Sequence, residues 1–374
     1  MLKEFLSPYT PNPSQWKETS IGHLTCFYIT EIPDLGETDI AIIGINDGRK
    51  SLLNESCSRA PDTIRNEFYK LIRQNTRLRL SDLGNITAGE TFEDSIAALK
   101  LVTEALLKEN IIPIILGGSN ELIYGQYIAY EKICKNLEYV CVSADFDLKN
   151  DSYLRKICTH QPNYLFNINV LGYQTYLVED DSLNAIQKLF FEANRLGPLK
   201  KDLTDTEPMI RNADMVSLNM SSIKQADAPG HADGNPNGFS GEEACQIAWY
   251  SGVADKVKTF GIYELNPDFD DNKQSAKLAS QIIWYFVDGY YNRKNDHPVM
   301  HQEFLKYHCT LGEGQPDAMF YKSKLSDRWW MEIPYPNNYG EHSVLVPCSY
   351  NDYVIASKGE MPDRFWRGFQ KINM

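Results

Sequence analysis

The stretch IIPIILGGSNELIYG, residues 111–125, decides the fold class of this chain. Its apolar run predicts a buried strand, its two glycines a tight turn, and the residues after them the start of a helix. In sheets built from such units, functional residues lie just beyond the carboxyl ends of the strands. The side chains at this end, Ser119, Asn120 and Glu121, include no strong base, no soft nucleophile and no good transition-metal ligand. The stretch therefore raises the question of what chemistry these polar residues perform.

Apolar strands alternate with helical segments through most of the remaining sequence. Near-continuous apolar strands separated by helices are typical of a parallel sheet covered on both faces. We predict a three-layer α/β/α sandwich with a mostly parallel sheet of about eight strands. The clearest strands are predicted at residues 39–45, 111–116, 139–143, 164–168, 215–218 and 257–263, and helices at 61–73, 92–107, 119–134, 182–195, 240–252 and 272–291.

The composition changes near residue 293, where Trp, Tyr and Pro become frequent. We predict an α/β domain over residues 1–292 and an extension over 293–374, with short antiparallel strands and one closing helix, packed on the same domain. Trp, Tyr and Arg dominate protein–protein hot spots. The aromatic and arginine residues of this segment therefore either anchor the extension or form a partner or self-association surface. These residues are Arg328, Trp329, Trp330, Tyr335, Tyr339, Arg364, Phe365, Trp366, Arg367 and Phe369.

Charge and composition exclude several classes of protein. The net charge of −13 argues against non-specific binding to nucleic acid or to anionic lipid. The amino terminus lacks the pattern of a secretory signal, and no apolar stretch is long enough to span a bilayer. The eight scattered cysteines form no C-x-x-C pair and are expected to be mostly buried free thiols. A cytoplasmic location is therefore expected.

Polar residues also follow three other predicted strands, in the segments SADFD (143–147), SLNMS (217–221) and YELNP (263–267). The ionised residues among them are Asp145, Asp147 and Glu264. Two carboxylates spaced i, i+2 at a strand end can hold a hard cation such as Mg²⁺ or Ca²⁺. The alternative is that these residues cap helices and stabilise turns.

The order and spacing of these segments resemble the arginase (ureohydrolase) family, which includes agmatinase and formimidoylglutamase, over residues 39–291. The family motifs Gly-Gly-Asp-His-Ser, Asp-Ala-His-x-Asp, Ser-x-Asp-x-Asp, Ala-Pro-Gly and Glu-Val-Asn-Pro correspond to residues 117–121, 143–147, 217–221, 228–230 and 264–267. SRAPDTIRNEF (58–68) and GFSGEEACQIAWY (238–250) are also similar to family segments. The resemblance implies an arginase-like fold, and family members usually form trimers or hexamers.

The resemblance also implies two Mn²⁺ ions, which bridge a water molecule and lower its pKa so that it attacks a guanidinium or amidine carbon. Of the six ligand positions, only Asp147 keeps the family's identity, and Asp145 keeps the capacity to bind a metal. Two carboxylates with neutral amides and hydroxyls cannot offset the charge of two divalent ions. We therefore predict a vestigial site without a cofactor, or one Mn or Mg ion on Asp145 and Asp147 if the protein is an enzyme. The six positions are Asn120, Ser143, Asp145, Asp147, Asn219 and Ser221.

Glu264 corresponds to the residue that contacts the substrate's guanidinium or amidine group in the family. It is a substrate-pocket candidate, although a carboxylate at this turn can also simply orient the loop. Substitute metal ligands are not expected, because the remaining histidines lie in no metal-binding motif. The histidines considered are His160, His231, His297 and His301.

Three functional hypotheses follow from these residues. The first is a non-catalytic arginase-fold protein that acts as a binding or scaffold protein. The second is a formimidoylglutamase-like hydrolase of a linear amidine or guanidine C–N bond with a remodelled metal site. The third is a small-molecule sensor that uses the vestigial pocket. The sequence leaves the ligand, the partner and the oligomeric state open.

Overall fold

The computed structural model describes residues 2–73, 77–149, 151–298, 304–312, 317–337 and 340–372. Strands and helices alternate through most of this length. The strands are β1 Leu6–Ser7, β2 Cys26–Phe27, β3 Ile40–Ile45, β4 Leu80–Ile86, β5 Ile112–Leu116, β6 Leu137–Val142, β7 Leu165–Tyr173, β8 Glu192–Arg195, β9 Met215–Asn219, β10 Thr259–Tyr263, β11 Phe304–Cys309, β12 Ala318–Ser323, β13 Trp329–Asn337 and β14 Gly340–Cys348. The helices are α1 Ala60–Phe68, α2 Phe92–Lys108, α3 Ile123–Ile128, α4 Tyr153–Thr159, α5 Asp180–Lys188, α6 Leu196–Lys201, α7 Thr206–Arg211, α8 Gly241–Val253, α9 Gln274–Tyr291, α10 Tyr350–Ser357 and α11 Asp363–Ile372.

The main sheet has ten strands in the order β1-β4-β3-β5-β10-β9-β6-β7-β8, with β2 also paired to β4. Among the described strands of this sheet, the β1–β4 pairing is antiparallel and the other pairings are parallel. The prediction of a mostly parallel sheet is confirmed, but the predicted count of about eight strands was too low. Strands β1 and β2 have two residues each, too few for a recognisable pattern. Strands β4 and β8 carry polar residues, so their sequences do not form apolar runs.

An internal ion pair explains how the polar strand β4 is buried. Arg65 of α1 is fully buried and donates from Nε to Oδ2 of Asp82 at 2.8 Å and from Nη2 to Oδ1 at 3.0 Å. Its Nη2 also donates to the carbonyl oxygen of Gly84 at 2.8 Å. A bidentate arginine–carboxylate pair with additional hydrogen bonds satisfies groups that would otherwise be costly to bury. This pair fixes α1 against β4.

Two apolar layers separate the sheet from its helices. Along β3, Ile40 and Ile42 belong to the layer shared with α1, α8 and α9, whereas Ala41, Ile43 and Ile45 belong to the layer shared with α2 and α3. Alternate side chains of a strand point to opposite faces, so a fully apolar strand requires cover on both sides. The three-layer α/β/α architecture is therefore confirmed.

Three predicted helices differ from the observed ones. The predicted helix 61–73 corresponds to α1, which ends at Phe68. The predicted helix 119–134 is a 3-10 turn, Asn120–Leu122, followed by the short helix α3. The predicted helix 182–195 ends at Lys188, and the chain then enters β8. Phe190 has a φ of +56°, a left-handed conformation that cannot continue a right-handed helix.

The extension forms a four-stranded antiparallel sheet in the order β11-β12-β13-β14, and α10 and α11 pack with it. The predicted antiparallel strands are present, but two closing helices replace the predicted single one. The extension has its own apolar cluster, which includes Phe320, Met331 and Phe365. The domain boundary at residue 292 stays a prediction, and the predicted positions His301 and Tyr339 lie outside the described residues.

A buried arginine joins the extension to the main body. Arg211 of α7 donates from Nη2 to the carbonyl oxygens of Trp329 at 2.9 Å and Cys348 at 3.1 Å. Its guanidinium carbon lies 4.3 Å from the ring centroid of Trp330. These contacts give two of the predicted aromatic residues a packing role. No helix in the described part of the chain is long and apolar enough to cross a membrane.

Candidate functional site

Four neighbouring parallel strands, β5, β10, β9 and β6, end at the same edge of the sheet. Leu116 pairs with Ile262, Ile262 with Leu218, and Leu218 with Val142, so the four strands end at one level. The segments that follow these residues carry all seven predicted site positions. Asn120 follows β5, and Glu264 follows β10. Asn219 is the last residue of β9, and Ser221 follows it. Ser143, Asp145 and Asp147 follow β6.

The two glycines of the opening stretch are required by close packing. A Cβ atom at Gly117 would collide with the ring of Tyr263, and one at Gly118 would collide with the carbonyl oxygen of Asp47. Directly after them, the Ser119 hydroxyl accepts a hydrogen bond from the backbone N–H of Glu121 at 3.2 Å. Ser119 therefore caps the 3-10 turn that begins at Asn120.

The Glu264 carboxylate is buried and fully hydrogen-bonded at this edge. Glu264 is 5% exposed and has a φ of +68°, which is rare for a residue other than glycine. Its Oε1 accepts from the Ser51 hydroxyl at 2.5 Å and from the backbone N–H of Asn120 at 2.8 Å. Its Oε2 accepts from Asn54 Nδ2 at 2.6 Å. Both oxygens are thus engaged in joining three loops, which gives the residue a positioning role.

The end of β6 carries the two retained carboxylates. Asp147 Oδ1 accepts the backbone N–H of Lys149 at 2.6 Å, a turn-type hydrogen bond. Asp145 is open to solvent, and the Ser143 hydroxyl lies 3.4 Å from its Oδ1. Neighbouring protein atoms desolvate Asp145 and raise the pKa of its carboxyl, an effect that His231 partly offsets. Asp145 is therefore accessible to a ligand from solvent.

The end of β9 uses its side chains mainly for local structure. Asn219 Oδ1 accepts the backbone N–H of Ser221 at 2.9 Å and so caps the turn Met220–Ser222. The Ser222 hydroxyl donates to the carbonyl oxygen of Asn219 at 2.7 Å. The Ser221 hydroxyl oxygen is buried and has no hydrogen-bond partner among the described residues. In this segment, capping explains Asn219 but not Ser221.

Sequence reasoning missed the loop that follows β3. Because β3 pairs with β5, this loop also reaches the same edge, where it contributes Ser51 and Asn54. It also contains Asp47, which accepts hydrogen bonds from Arg49 Nη2 at 2.6 Å and from Ser95 at 2.7 Å. Burial alone would raise the pKa of Asp47, but these hydrogen bonds hold it below its usual value. The polar sequence NDGRKS (46–51) directly after a predicted strand was the available signal.

The residues at this edge do not fit a pair of Mn²⁺ ions. Asp145 and Asp147 are the only carboxylates at the six ligand positions, and no imidazole is present there. In the described ranges, no group of three or more His, Cys, Asp or Glu side chains is arranged to hold a metal ion. Neutral hydroxyl and amide oxygens supply little of the charge that two divalent ions require.

Three of the four histidines considered as substitute ligands lie in the described part of the chain, and each has other contacts. His160 Nδ1 lies 2.9 Å from the Tyr124 hydroxyl, and its ring packs against Tyr127 and Tyr164. His231 Nδ1 accepts the backbone N–H of Asp233 at 3.0 Å, and the ring of His297 packs edge-on against Trp330. These contacts give the three histidines hydrogen-bonding or packing roles.

Comparison with known proteins gives one family match. The model of the arginase family matches residues 38–288. Two curated relatives are the formimidoylglutamases of Staphylococcus haemolyticus, 24% identical over 243 residues covering 61% of this chain and 78% of the relative, and of Geobacillus sp., 26% identical over 231 residues covering 58% and 71%. These relatives are named as enzymes.

Solved structures show the same fold. The formimidoylglutamase of Bacillus subtilis aligns with a TM-score of 0.67 at 18% identity, covering 76% of this chain and 97% of the other. The formiminoglutamase of Trypanosoma cruzi with Mn²⁺ aligns with a TM-score of 0.63 at 19% identity, covering 71% and 100%. At these identities the likeness establishes the arrangement of strands and helices.

Proposed function

This chain belongs to the arginase family, and from that premise we propose that it is a non-catalytic, formimidoylglutamase-like member that acts by binding. The observation that carries the proposal is the donor set at the four strand ends. Of the six positions that correspond to metal ligands, Asp145 and Asp147 alone carry a negative charge, and no imidazole remains. The resulting site lacks the ligands on which the family's hydrolytic chemistry depends.

The replacements also suit a site that is stable without metal. Ser143, Asn219 and Ser221 are buried, and carboxylates at all three positions would be expensive to bury without cations. Asn219 instead satisfies the backbone N–H of Ser221. Neutral polar side chains therefore keep the loops in place without metal ions.

The proposal is tested by assaying protein purified with Mn²⁺ supplied. Hydrolysis of N-formimidoylglutamate, arginine and agmatine is expected to stay at the level of the uncatalysed reaction. The matched control is Asp147→Ala, which should behave in the same way as the natural protein. Turnover that this substitution abolishes would make the protein an enzyme and overturn the proposal.

The second candidate is a C–N hydrolase with a remodelled metal site. The names of the curated relatives favour this candidate over a non-catalytic protein. A single hard cation would then be held by Asp145 and Asp147, since oxygen ligands suit Mn²⁺ or Mg²⁺. One bound ion per chain together with turnover would establish this candidate.

The third candidate, a sensor of an amidine or guanidine compound, needs an accessible carboxylate. Asp145 suits that role better than Glu264, because both oxygens of Glu264 already accept hydrogen bonds. Metal-independent binding of agmatine that Asp145→Asn abolishes would support the sensor.

We further propose a cytoplasmic location and a partner or self-association surface on the extension. Among the described residues of the extension, Tyr350 and Trp366 are 61% and 47% exposed, so both are available for such a contact.

A further inference from the structure

A cavity of about 430 Å³ lies between the main body and the extension, near the amino-terminal ends of β6 and β7. Its walls come from β6, β7, β8 and α7 of the main body and from β14 and α11 of the extension. The size is in the range of small-molecule sites, which occur preferentially where two structural units meet. The cavity is separate from the seven positions at the carboxyl ends of the strands.

The floor of this cavity is polar where an apolar sheet face is expected. Glu138 pairs with Asn167 across β6 and β7, and Asn169 pairs with Glu192 across β7 and β8. Glu138, Asn167 and Asn169 are 7%, 7% and 3% exposed. The inner strands of a three-layer fold are normally apolar on both faces. Apolar packing therefore does not account for this row of polar side chains.

The Asn169 side chain in this row has a hydrogen-bond acceptor that lacks a donor within the described residues. Asn169 Oδ1 is buried and has no hydrogen-bond partner in the part of the chain that the structure describes. Glu138, which lines the same cavity, accepts a hydrogen bond at Oε1 from Asn212 Nδ2 at 2.6 Å. Buried acceptors without partners are rare because each one loses its hydrogen bonds to water. A donor group on a ligand would satisfy Asn169 and would also face the carboxyl group of Glu138.

The opposite wall is positively charged. Three basic side chains from α11, Arg364, Arg367 and Lys371, and Lys256 from the main body line the cavity, whereas Glu138 and Glu192 are its only described carboxylates. Their contacts include Arg364 Nε to Asp352 Oδ2 at 3.2 Å, Arg367 Nη1 to Glu192 Oε2 at 3.4 Å, Lys256 Nζ to Asp214 Oδ2 at 3.1 Å and Lys371 Nζ to Asn167 Oδ1. Each arginine has five N–H donors, so these contacts leave donors for an anionic group.

Apolar side chains complete the walls. Met209 of α7, Val346 of β14 and Ile372 of α11 line the cavity beside the charged groups. A ligand that matches all three features has a donor with positive charge, a carboxylate and an apolar body.

We propose that this cavity binds an α-amino acid with an apolar side chain. Its ammonium group donates to Asn169 Oδ1 and faces Glu138, its carboxylate accepts from Arg364, and its side chain packs against Met209 and Val346. This site belongs to the junction with the extension, so it is independent of the chemistry at the carboxyl ends of the strands.

The test is isothermal titration calorimetry with three related compounds. L-phenylalanine carries both charged groups, 3-phenylpropionate lacks the ammonium, and 2-phenylethylamine lacks the carboxylate. We expect L-phenylalanine to bind and each of the other two to bind about ten-fold more weakly, the loss that one unpaired buried group produces. Absence of L-phenylalanine binding at millimolar concentration, or equal binding of L-phenylalanine and 3-phenylpropionate, would overturn the proposal.

Variants connect the binding to the named residues. Asn169→Leu removes the unpaired acceptor, so it should weaken L-phenylalanine binding about ten-fold without lowering the Tm. Arg364→Gln should weaken L-phenylalanine binding by a similar factor. Arg364 lies on the opposite wall of the cavity, so this variant provides the test if Asn169→Leu fails to fold. The control is Lys3→Ala, which removes an exposed ion pair with Glu31 outside both sites and should bind as the natural protein does. Unchanged binding in both cavity variants would contradict the assignment.

Discussion

Replacing Glu264 with alanine should destabilise this protein strongly, because its carboxylate joins three loops at the edge of the sheet. The carboxylate accepts hydrogen bonds from Ser51, Asn54 and the backbone N–H of Asn120, and it is 5% exposed. In Glu264→Ala these donors lose a charged acceptor, and the Ser51 and Asn54 side chains stay buried.

The magnitude follows from the number of bonds. A hydrogen bond to a charged group contributes roughly 1.5–3 kcal/mol, and part of the loss is recovered because a buried charge is removed. We expect Glu264→Ala to lower the free energy of unfolding by about 3–5 kcal/mol. Glu264→Gln keeps one acceptor oxygen but turns the other into a donor, so it should cost about 1–3 kcal/mol.

Urea denaturation of both variants measures these changes. The matched control is Glu131→Ala, which removes a partly exposed ion pair with Lys100 and should cost at most about 1 kcal/mol. A change within about 1 kcal/mol for Glu264→Ala, or equal changes for the alanine and glutamine variants, would refute the positioning role. The large expected effect also means that loss of ligand binding in Glu264→Ala would not identify a substrate contact.

Four further results are expected. Burial lowers the pKa of Lys371 to about 8, below the usual lysine value of 10.5. Between these two pH values the unfolded chain binds more protons than the folded chain, so the stability of the natural protein should rise with pH. The Tm should show this rise in the natural protein but not in Lys371→Met. The pKa of Asp47 in the folded protein lies below its ordinary value. The stability that Asp47 contributes is therefore present above the unfolded-state pKa and is lost as the pH falls through the folded-state pKa. In Asp47→Asn, the free energy of unfolding should fall less steeply at acid pH than in the natural protein. Arg65→Met leaves Asp82 buried without its cation and should cost about 3–5 kcal/mol by urea denaturation, whereas a cost below about 1 kcal/mol would show that the pair is dispensable. Ser221→Ala removes a buried hydroxyl without a described partner, so its free energy of unfolding should stay within about 1 kcal/mol of the natural value, and a larger loss would reveal a partner for the hydroxyl.

The elements that the sequence predicts well are those whose burial is expressed as an apolar run. Strands such as β5 and β10 and the amphipathic helix α2 are observed within two residues of their predicted bounds. Strand β4 was missed because Ser81, Asp82 and Asn85 interrupt its apolar pattern, although all three are buried. Asp82 and Asn85 are hydrogen-bonded to Arg65 of α1, and Ser81 to Thr38. These partners lie outside the strand, so its local periodicity does not reveal them.

The candidate site was also predicted only in part from the sequence. Parallel strands with polar ends predicted that Asn120, Asp145 and Asn219 would reach one edge. They follow or end β5, β6 and β9, which with β10 are consecutive strands of the sheet. The hydrogen bonds of Glu264 could not be predicted, because they depend on the three-dimensional path of the loop after β3. The cavity at the extension was also beyond prediction, since it depends on how α11 docks on β6, β7 and β8.

The most direct test of the central claim, that the family's metal site has been lost, is the Mn²⁺ content of the purified protein. It should be measured by elemental analysis after expression with Mn²⁺ supplied, beside a variant in which the family's ligands are restored. The natural protein is predicted to hold no Mn²⁺ above the level of a control protein without a metal site. The restored variant should take up Mn²⁺ and gain in Tm, because a ligand that binds only the folded state stabilises it. Stoichiometric binding of two ions by the natural protein would contradict the account. The substitutions in the restored variant are Asn120→His, Ser143→Asp, Asp145→His, Asn219→Asp and Ser221→Asp.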